Sequence, residues 1–386
     1  MKGSNDTASD SAESFACVWR VMDGRRTAKI RKKLLAWYAV EARDLPWRNT
    51  RDPYAILVSE FMLHQTRVQT ALGYYGRFLE RFPSLEALAK AEIDDVLKAW
   101  EGLGYYRRAH NLHRTAQVLL REHDGRLPKS VSELRGLPGI GPYTAGAIAS
   151  IAFGLDEPVL DGNVVRVLSR LFAVPGAPGR AETRNRLLRE AQRLASGGTA
   201  AALNQALMDL GARVCLPRSP RCHECPVASA CDAHHTGREV EFPQKRKKGP
   251  IPRVVGAAGI IWDKEPFSSD AKLLIAKRKA DDMLGGLWEF PGGRVEDGES
   301  HEEALIRELR EELAIEVEVI EPFLQVDHAY THFRVTLHFF HCRHTGGEPV
   351  AIECDEWRWV GVSELDRFAF PTADRKVLEE LEVQQG

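Results

Sequence analysis

The sequence predicts two folded units of different class, an all-α unit followed by an α+β unit. Three observations carry that expectation. The length of 386 residues fits two or three domains at about 150 residues each. Near residue 250 the apolar pattern changes from helical spacings to short β-branched runs. Charge inverts at the same place: 38 Lys and Arg stand against 27 Asp and Glu before residue 251, and 15 against 28 after residue 250. The first unit has the sign that attracts a polyanion, and the second repels one unless it carries a bound cation or a local basic strip.

The bulk composition, 44% hydrophobic and 28% charged, supports a sizeable core and excludes fibrous or wholly disordered classes. The longest uncharged apolar stretches, 145–153 and 254–262, are far shorter than the roughly 18–20 residues that cross a bilayer. Residues 1–26 carry Ser, Asp and Glu where a signal peptide needs an apolar stretch. With seven Cys and no secretory signal, the expectation is a cytoplasmic, unsecreted protein whose clustered Cys hold metal.

In chain order, residues 1–27 read as a flexible tail. Apolar spacings of three and four over 30–42, 54–82, 93–105, 107–122, 143–153, 164–172, 182–194 and 201–214 predict helices separated by Pro, Gly and Asp breakers. The helical unit is placed at 28–236. Gln244-Lys-Arg-Lys-Lys-Gly-Pro-Ile-Pro-Arg253 has no helical or strand period and marks a linker, 237–253. The second unit, 254–386, has β-branched and aromatic runs at 254–262, 272–278, 317–324, 333–341 and 356–362, which predict strands, and one charged helix over 300–313.

The most specific signal is Cys215-x6-Cys222-x2-Cys225-x5-Cys231. Four thiolates within a 215–231 loop can wrap one compact centre. With only one Cys-x-x-Cys knuckle, the spacing favours a [4Fe–4S] cluster over zinc. Arg213, Arg218 and Arg221 stud the same region, so a cluster would hold a basic surface in shape. Next comes Leu137-Pro-Gly-Ile-Gly-Pro-Tyr-Thr-Ala-Gly146, in which Gly139 and Gly141 would let backbone approach a phosphate at a helix start. A tight turn between packed helices is the competing reading.

Two carboxylates attract attention by position. Glu60 is the only ionisable residue in Ala55-Ile-Leu-Val-Ser-Glu-Phe-Met-Leu63, and desolvation favours the protonated form that a general acid needs. Asp161 in Leu160-Asp-Gly-Asn-Val164 reads first as a helix N-cap. Cleavage of a glycosidic bond through an oxocarbenium-like transition state needs one carboxyl of each kind. From spacing alone a salt-bridged Glu and a structural cap remain open.

Together, the cysteine spacing, the Leu-Pro-Gly-Ile-Gly hairpin and Leu160-Asp-Gly-Asn-Val164 resemble the endonuclease III superfamily of helix-hairpin-helix DNA glycosylases. Leu45-Pro-Trp-Arg48, Ser59-Glu-Phe-Met-Leu-His-Gln-Thr66 and Trp100-Glu-Gly-Leu-Gly-Tyr-Tyr106 resemble, within it, the MutY family of adenine glycosylases. The likeness covers roughly 28–235 and continues into the second unit. It implies a multidomain chain: an all-α helix-hairpin-helix glycosylase with an iron–sulfur loop, then an α+β Nudix-like domain. It also implies a monofunctional, monomeric enzyme that removes adenine opposite 8-oxoguanine or guanine in double-stranded DNA, in base excision repair. By position, Glu60 falls on the acid that protonates adenine, Asp161 on the carboxylate that stabilises the sugar cation, and Asn163 on a residue that positions this chemistry. Tyr143 stands where bifunctional relatives have a Lys nucleophile, so no Schiff-base lyase step is implied. Gln65, Leu103 and Tyr105 match residues that wedge into the duplex, and Arg48 and Gln205 match positions near the flipped base. His64 departs from the second Gln usual in the family, which puts details of the wedge in doubt.

The second unit carries Gly293-x5-Glu299-x7-Arg307-Glu-Leu-Arg-Glu-Glu-Leu-Ala-Ile315, which resembles the Nudix box with Ala314 in place of Gly. Glu308, Glu311 and Glu312 share a helix face. Mg²⁺ would relieve their repulsion, and pairing with Arg307 and Arg310 is the alternative. Leu287-Trp-Glu-Phe-Pro-Gly-Gly293 also resembles the MutT hydrolases of 8-oxo-dGTP, which leaves pyrophosphatase activity open. His328-Ala-Tyr-Thr-His332 resembles the Phe-Ser-His loop with which MutY proteins probe 8-oxoguanine, and assigns His328, Tyr330, Thr331 and His332 to lesion recognition.

Overall fold

The computed structural model describes residues 24–244, 249, 252–268, 270–330 and 333–385. Residues 1–23, Thr331, His332 and part of the expected linker therefore lie outside the described residues. The chain divides into two compact units, one holding the described residues of 1–43 and 149–246, the other those of 44–148 and 247–386.

The helical part runs α1 (Gly24–Glu41), α2 (Pro53–Leu63), α3 (Val68–Arg81), α4 (Leu85–Lys90), α5 (Ile93–Trp100), α6 (Arg107–Glu122), α7 (Val131–Gly136), α8 (Pro142–Ile151), α9 (Gly162–Leu171), α10 (Ala181–Ala195), α11 (Ala200–Arg213) and α12 (Asp232–His235). Two expectations are corrected here. The stretch 54–82 is not one helix: it breaks at residues 64–67, where Gln65 adopts a left-handed φ of 64°. The stretch 93–105 ends its helix at Trp100, because Gly102 (φ 89°), Gly104 (φ 70°) and Tyr105 (φ 52°) turn left-handed in succession. No Pro or Gly marks the first break. Its cause is a side chain distant in sequence, Arg108.

In the first unit, α1 turns Thr27, Ile30 and Leu34 inward at helical spacing. α9 buries Val164, Val167, Leu168 and Leu171 and packs chiefly against α11.

In the second unit the C-terminal part forms a seven-stranded mixed sheet from β1 (Arg253–Trp262), β2 (Lys272–Arg278), β3 (Trp288–Glu289), β4 (Gly292–Arg294), β5 (Glu316–Ala329), β6 (Arg334–Gly346) and β7 (Cys354–Gly361). β1 runs parallel to β6 and antiparallel to β2 and β4, and β2 also pairs with β3 and β7. Two helices cover it. α13 (His301–Leu313) packs Leu305, Leu309 and Leu313 against Ile261, Leu274 and Phe340. α14 (Thr372–Gln385) packs Val377, Leu378 and Leu381 with Trp288, Phe339 and Phe370. Each fully buried Leu contributes roughly 1.5–3 kcal/mol of transfer free energy, so Leu309→Ala costs about 2–5 kcal/mol.

α13 matches the charged helix expected over 300–313 and begins on a capping box, in which Ser300 accepts from Glu303 N at 3.1 Å and Glu303 accepts from Ser300 N at 2.8 Å. It ends on Ala314 at φ 56°, the left-handed position for which the Nudix pattern has Gly. β5 and β6 run longer than predicted, as one hairpin whose register shifts at three places in β5 absorb the irregular segment around Pro322.

Candidate active site

α2 is built to bury an acid. Asp52 caps it, accepting from Tyr54 N at 3.1 Å and Ala55 N at 3.2 Å, and Pro53 occupies the first turn. Every residue from Tyr54 to Met62 is buried, Glu60 among them at 4% exposure. The helix stops because Arg108 of α6, itself buried, takes its C-terminal carbonyls: Nη1 donates to Phe61 O at 2.8 Å and Met62 O at 2.7 Å. The Nη2 group of Arg108 donates to Gly104 O at 2.9 Å and to the Thr66 hydroxyl at 2.9 Å. The guanidinium also lies 5.3 Å from the Trp100 ring centroid and 5.6 Å from that of Tyr105. Burial pulls its pKa down to about 10, so it stays charged at neutral pH. One arginine thus pins the end of the Glu60 helix to the loop that carries Leu103 and Tyr105. Those two residues differ: Leu103 is buried at 5%, while Tyr105 is 42% exposed.

The Gly-rich hairpin joins α7 to α8. Gly139 (φ 72°) sits so close to the Asn111 side chain that a Cβ there would clash, and Thr115 Oγ1 donates to Pro138 O at 2.6 Å. Gly141 has open space around it. Tyr143, in the first turn of α8, stacks on His64 with centroids 6.1 Å apart.

Glu60, His64, Gln65, Tyr105, Gly139 and Thr144 line one cleft of about 840 Å³ together with His328, Tyr330 and Phe333 from the β5–β6 hairpin and residues 280–285. Tyr330 is stacked on Phe333 at 4.8 Å and edge-on to His328 at 4.6 Å, which makes an aromatic hairpin tip. Burial first and then Asp374 push the Tyr330 hydroxyl up to about 12. Arg48 ends a short 3-10 turn, half-buried, in the same unit and does not line this cleft.

The other unit holds Asp161 and Asn163. Asp161 caps α9, accepting from Val164 N at 2.7 Å through Oδ1 and from Asn163 Nδ2 at 2.9 Å through Oδ2. Asn163 accepts in turn from Arg166 Nη2 at 2.8 Å. Arg166 also donates to Gly211 O and, through Nε, to Cys215 O, each at 2.7 Å. Gln205 accepts from the Tyr38 hydroxyl at 3.0 Å.

One turn further, the buried Arg170 donates to Leu216 O at 2.6 Å, Pro217 O at 2.9 Å, Glu239 O at 2.7 Å, Phe242 O at 3.0 Å and Cys215 Sγ at 3.3 Å. This organises the cysteine loop. Cys215, Cys222, Cys225 and Cys231 line one cavity whose other walls include Val167, Leu171, Leu210, Val214 and Val227. An all-sulfur donor set converging in an apolar cavity fits an iron–sulfur cluster. Burial, and for Cys222 also Glu239, pushes the Cys222 thiol up to about 11, and burial pushes that of Cys231 up to about 12. The protein alone therefore disfavours free thiolates there, and loading the site must displace protons. A cluster bound by these four residues would clasp the loop. Arg213 contributes to the surrounding surface through an ion pair with Glu41 at 2.9 Å.

In α13 the Nudix-box carboxylates are partly paired. Arg307 reaches Glu299 at 2.7 Å, Glu308 at 2.9 Å and Glu311 at 3.1 Å, while Arg310 turns away to Glu316 at 2.7 Å. Glu312 is pushed up to about 8 by burial and then by Glu289 and Glu308. Asp374, buried and accepting from Phe290 N at 3.1 Å, is also pushed up to about 8, by burial and then by Glu289. Sequence reasoning missed Arg108, Arg166, Arg170 and Asp374. The i, i+4 spacing of Arg166 and Arg170 on α9, off its apolar stripe, was the one local signal for any of them.

Comparison with known proteins bears on these features. Residues 58–193 match the HhH-GPD superfamily of base excision DNA repair proteins, 215–231 the iron-sulfur binding domain of endonuclease III, and 266–380 the NUDIX domain. Adenine DNA glycosylase from Rattus norvegicus is 34% identical over 90% of this chain and 77% of its own length. The Homo sapiens protein of the same name is 34% identical over 94% and 76%. A thermostable thymine-DNA glycosylase structure superposes with a TM-score of 0.51, at 30% identity, over 55% of this chain and 98% of that one. Among the described residues no helix is long and apolar enough to cross a membrane. With the 215–231 match, the cofactor is a [4Fe–4S] cluster, and the substrate is DNA. The chain belongs to the adenine DNA glycosylase family, enzymes of base excision repair that hydrolyse N-glycosidic bonds in DNA.

Proposed function

We propose that the chain excises adenine placed opposite 8-oxoguanine or guanine in duplex DNA and stops at the abasic site. The observation that carries this reading is the shared cleft, in which the buried Glu60 and the aromatic tip at Tyr330 line the same cavity. An enzyme that must remove one base while recognising its partner needs both functions within reach of a single base pair. Gln65 and the exposed Tyr105 enter the stack as wedges, and Leu103 backs them from the core. Unstacking costs a few kcal/mol, offset by contacts to the extruded adenine. Gly139 and Gly141 bring backbone N–H groups of the hairpin to a phosphate. Arg48 and Gln205 serve the base binding site.

Glu60 donates a proton to the adenine, turning it into a neutral leaving group, and the glycosidic bond breaks with the electron pair passing to the base. Asp161, oriented by Val164 N and Asn163, stabilises the oxocarbenium-like sugar until water adds. Tyr143 offers a phenol where a lyase needs an amine, so no Schiff base forms. His328 and Tyr330, with Thr331 and His332, read the 8-oxoguanine. The protein acts as a monomer.

Strand cleavage of labelled duplexes, with and without alkali, tests this reading. Cleavage only after alkali, at adenine opposite 8-oxoguanine most strongly, then opposite guanine, and not at thymine opposite guanine, is expected. Equal activity on thymine opposite guanine contradicts it.

A second reading concerns the Nudix box. Crowding of Glu312 by Glu289 and Glu308 creates a charge density that a hard divalent cation would relieve, although Arg307 already neutralises part of it. Mg²⁺ at Glu308, Glu311 and Glu312 would support hydrolysis of 8-oxo-dGTP. Pyrophosphate release that is abolished by Glu311→Gln supports this reading, and no release from the wild type removes it.

A further inference from the structure

The loop that follows α5 is held at both ends by groups of different origin. On one side Trp100 Nε1 donates to Gly104 O at 3.3 Å, and Gly102 N donates to the Tyr106 hydroxyl at 3.0 Å, which fixes the loop that presents Tyr105. On the other side stands Glu101, whose side chain is only 9% exposed. Its carboxylate takes three donors. Arg375 Nη1 reaches Oε2 at 2.7 Å, Lys98 Nζ reaches the same oxygen at 2.8 Å, and Phe370 N reaches Oε1 at 2.9 Å. Lys98 also donates to Phe368 O at 2.9 Å. A largely buried carboxylate with two cationic donors and a backbone amide is held far more firmly than a surface ion pair.

Two of the three partners of Glu101, Phe370 and Arg375, belong to the segment that starts α14. Arg375 follows Asp374, which binds Phe290 N in the core of the C-terminal domain. Two consecutive residues of one helical turn thus point to different places, Asp374 into the sheet domain and Arg375 to the wedge loop. Thr372, in the same turn, lines the same cleft as Tyr330, and α14 packs against β5, the strand that leads into Tyr330. The start of α14 therefore shares a cleft with the aromatic tip on one side and is bonded on the other to Glu101, next to Gly102, Leu103 and Tyr105.

We propose that Glu101 and Arg375 are positioning residues that lock the lesion-reading domain to the wedge loop, so that the preference for adenine opposite 8-oxoguanine over adenine opposite guanine depends on their pairing. The inference rests on the lesion-reading function proposed for Tyr330. Without the lock, Tyr330 still meets DNA, but its contact with the lesion is no longer made in register with extrusion of the opposite adenine. Discrimination then falls while excision itself continues.

The test uses the full-length protein with its cluster loaded, in single-turnover excision on the two duplexes. In Arg375→Ala the ratio of the two rates should fall by about tenfold, with the rate opposite guanine within about twofold of wild type. Arg375→Lys, which keeps one charged donor, should recover most of the ratio. Glu101→Gln combined with Arg375→Ala should lower the ratio no further than either single change, because the two act as a unit. A merely structural role would lower both rates together and move the melting temperature without changing the ratio. A wild-type preference retained within twofold in Arg375→Ala and in Glu101→Gln overturns the lock and leaves lesion reading standing. A wild type with no preference overturns lesion reading and the lock with it.

Discussion

The helical part and the C-terminal sheet domain use their buried polar groups differently. In the helical part, beside buried acids such as Glu60 and Asp209, the buried Arg108 and Arg170 and the half-buried Arg166 spend their donors on backbone carbonyls, including those of Phe61, Met62, Gly104, Cys215 and Leu216. In the sheet domain the charge-bearing groups of the interior are carboxyls: burial first, and then Glu289, raises the pKa values of Asp374 and the half-buried Glu312. An arginine facing several carbonyls converts irregular backbone into fixed geometry and remains charged over the working pH range. Crowded carboxyls give an environment that responds to pH. The difference matches the tasks proposed here, since base excision needs loops held still.

Removing Arg108 should have the largest effect. Arg108→Ala leaves buried carbonyls of both α2 and the wedge loop without their donor, at about 1–3 kcal/mol for each group left unsatisfied. Thermal unfolding should show a loss of roughly 3 kcal/mol or more, and excision should fall with it. Arg108→Lys should recover little, because one ammonium cannot span the same acceptors. Wild-type stability in either variant would show that Arg108 does not hold these carbonyls in place.

Next comes Arg170→Ala, which unties the segment 215–217 from 239–242. Iron content and visible absorbance of the purified protein should drop severalfold, while the C-terminal domain should keep its own unfolding transition. Full iron loading would show that the cysteines hold the loop without this residue.

On the acidic side, Asp374 and Glu312 have folded-state pKa values raised to about 8 from ordinary carboxyl values. The stability that a raised carboxyl contributes is fully present below its unfolded pKa, near 4, and is lost as pH climbs towards 8. Melting of the C-terminal domain should therefore shift down from pH 5 to pH 8. Asp374→Asn, which keeps an acceptor for Phe290 N, should flatten that slope and melt higher than wild type at pH 8, by on the order of 5 °C. Parallel slopes in the two proteins would contradict the assignment. The smallest effect belongs to Arg307→Ala, which breaks ion pairs with the half-buried Glu299 and Glu308 and the exposed Glu311 and should cost about 1 kcal/mol in denaturant unfolding.

Much of this architecture was legible locally. α6 and β2 match their predicted spans residue for residue, and α13 follows from Ser300 and Glu303. The cysteine loop, the hairpin and the Asp161 cap were legible because each is a short motif whose residues bond to one another. What escaped was set from a distance. Nothing in His64-Gln-Thr-Arg67 announces a helix break, since the donor that ends α2 lies on α6. The short helices α4 and α7 lack enough turns to show a period. α14 went unassigned, and its contacts to Glu101 join positions more than 260 residues apart. Glu60 was found because an acid in an apolar run is conspicuous, whereas Arg108 sits in a charged helix where one more arginine carries no signal.

We propose that Glu60 and Asp161 both serve the breaking of the glycosidic bond. Single-turnover excision of adenine opposite 8-oxoguanine by wild type, Glu60→Gln and Asp161→Asn tests it most directly, with binding to the same duplex measured alongside. Each variant should still bind the duplex with its cluster intact, and excision should fall by at least about 10²-fold. Turnover near the wild-type rate in either variant would contradict it.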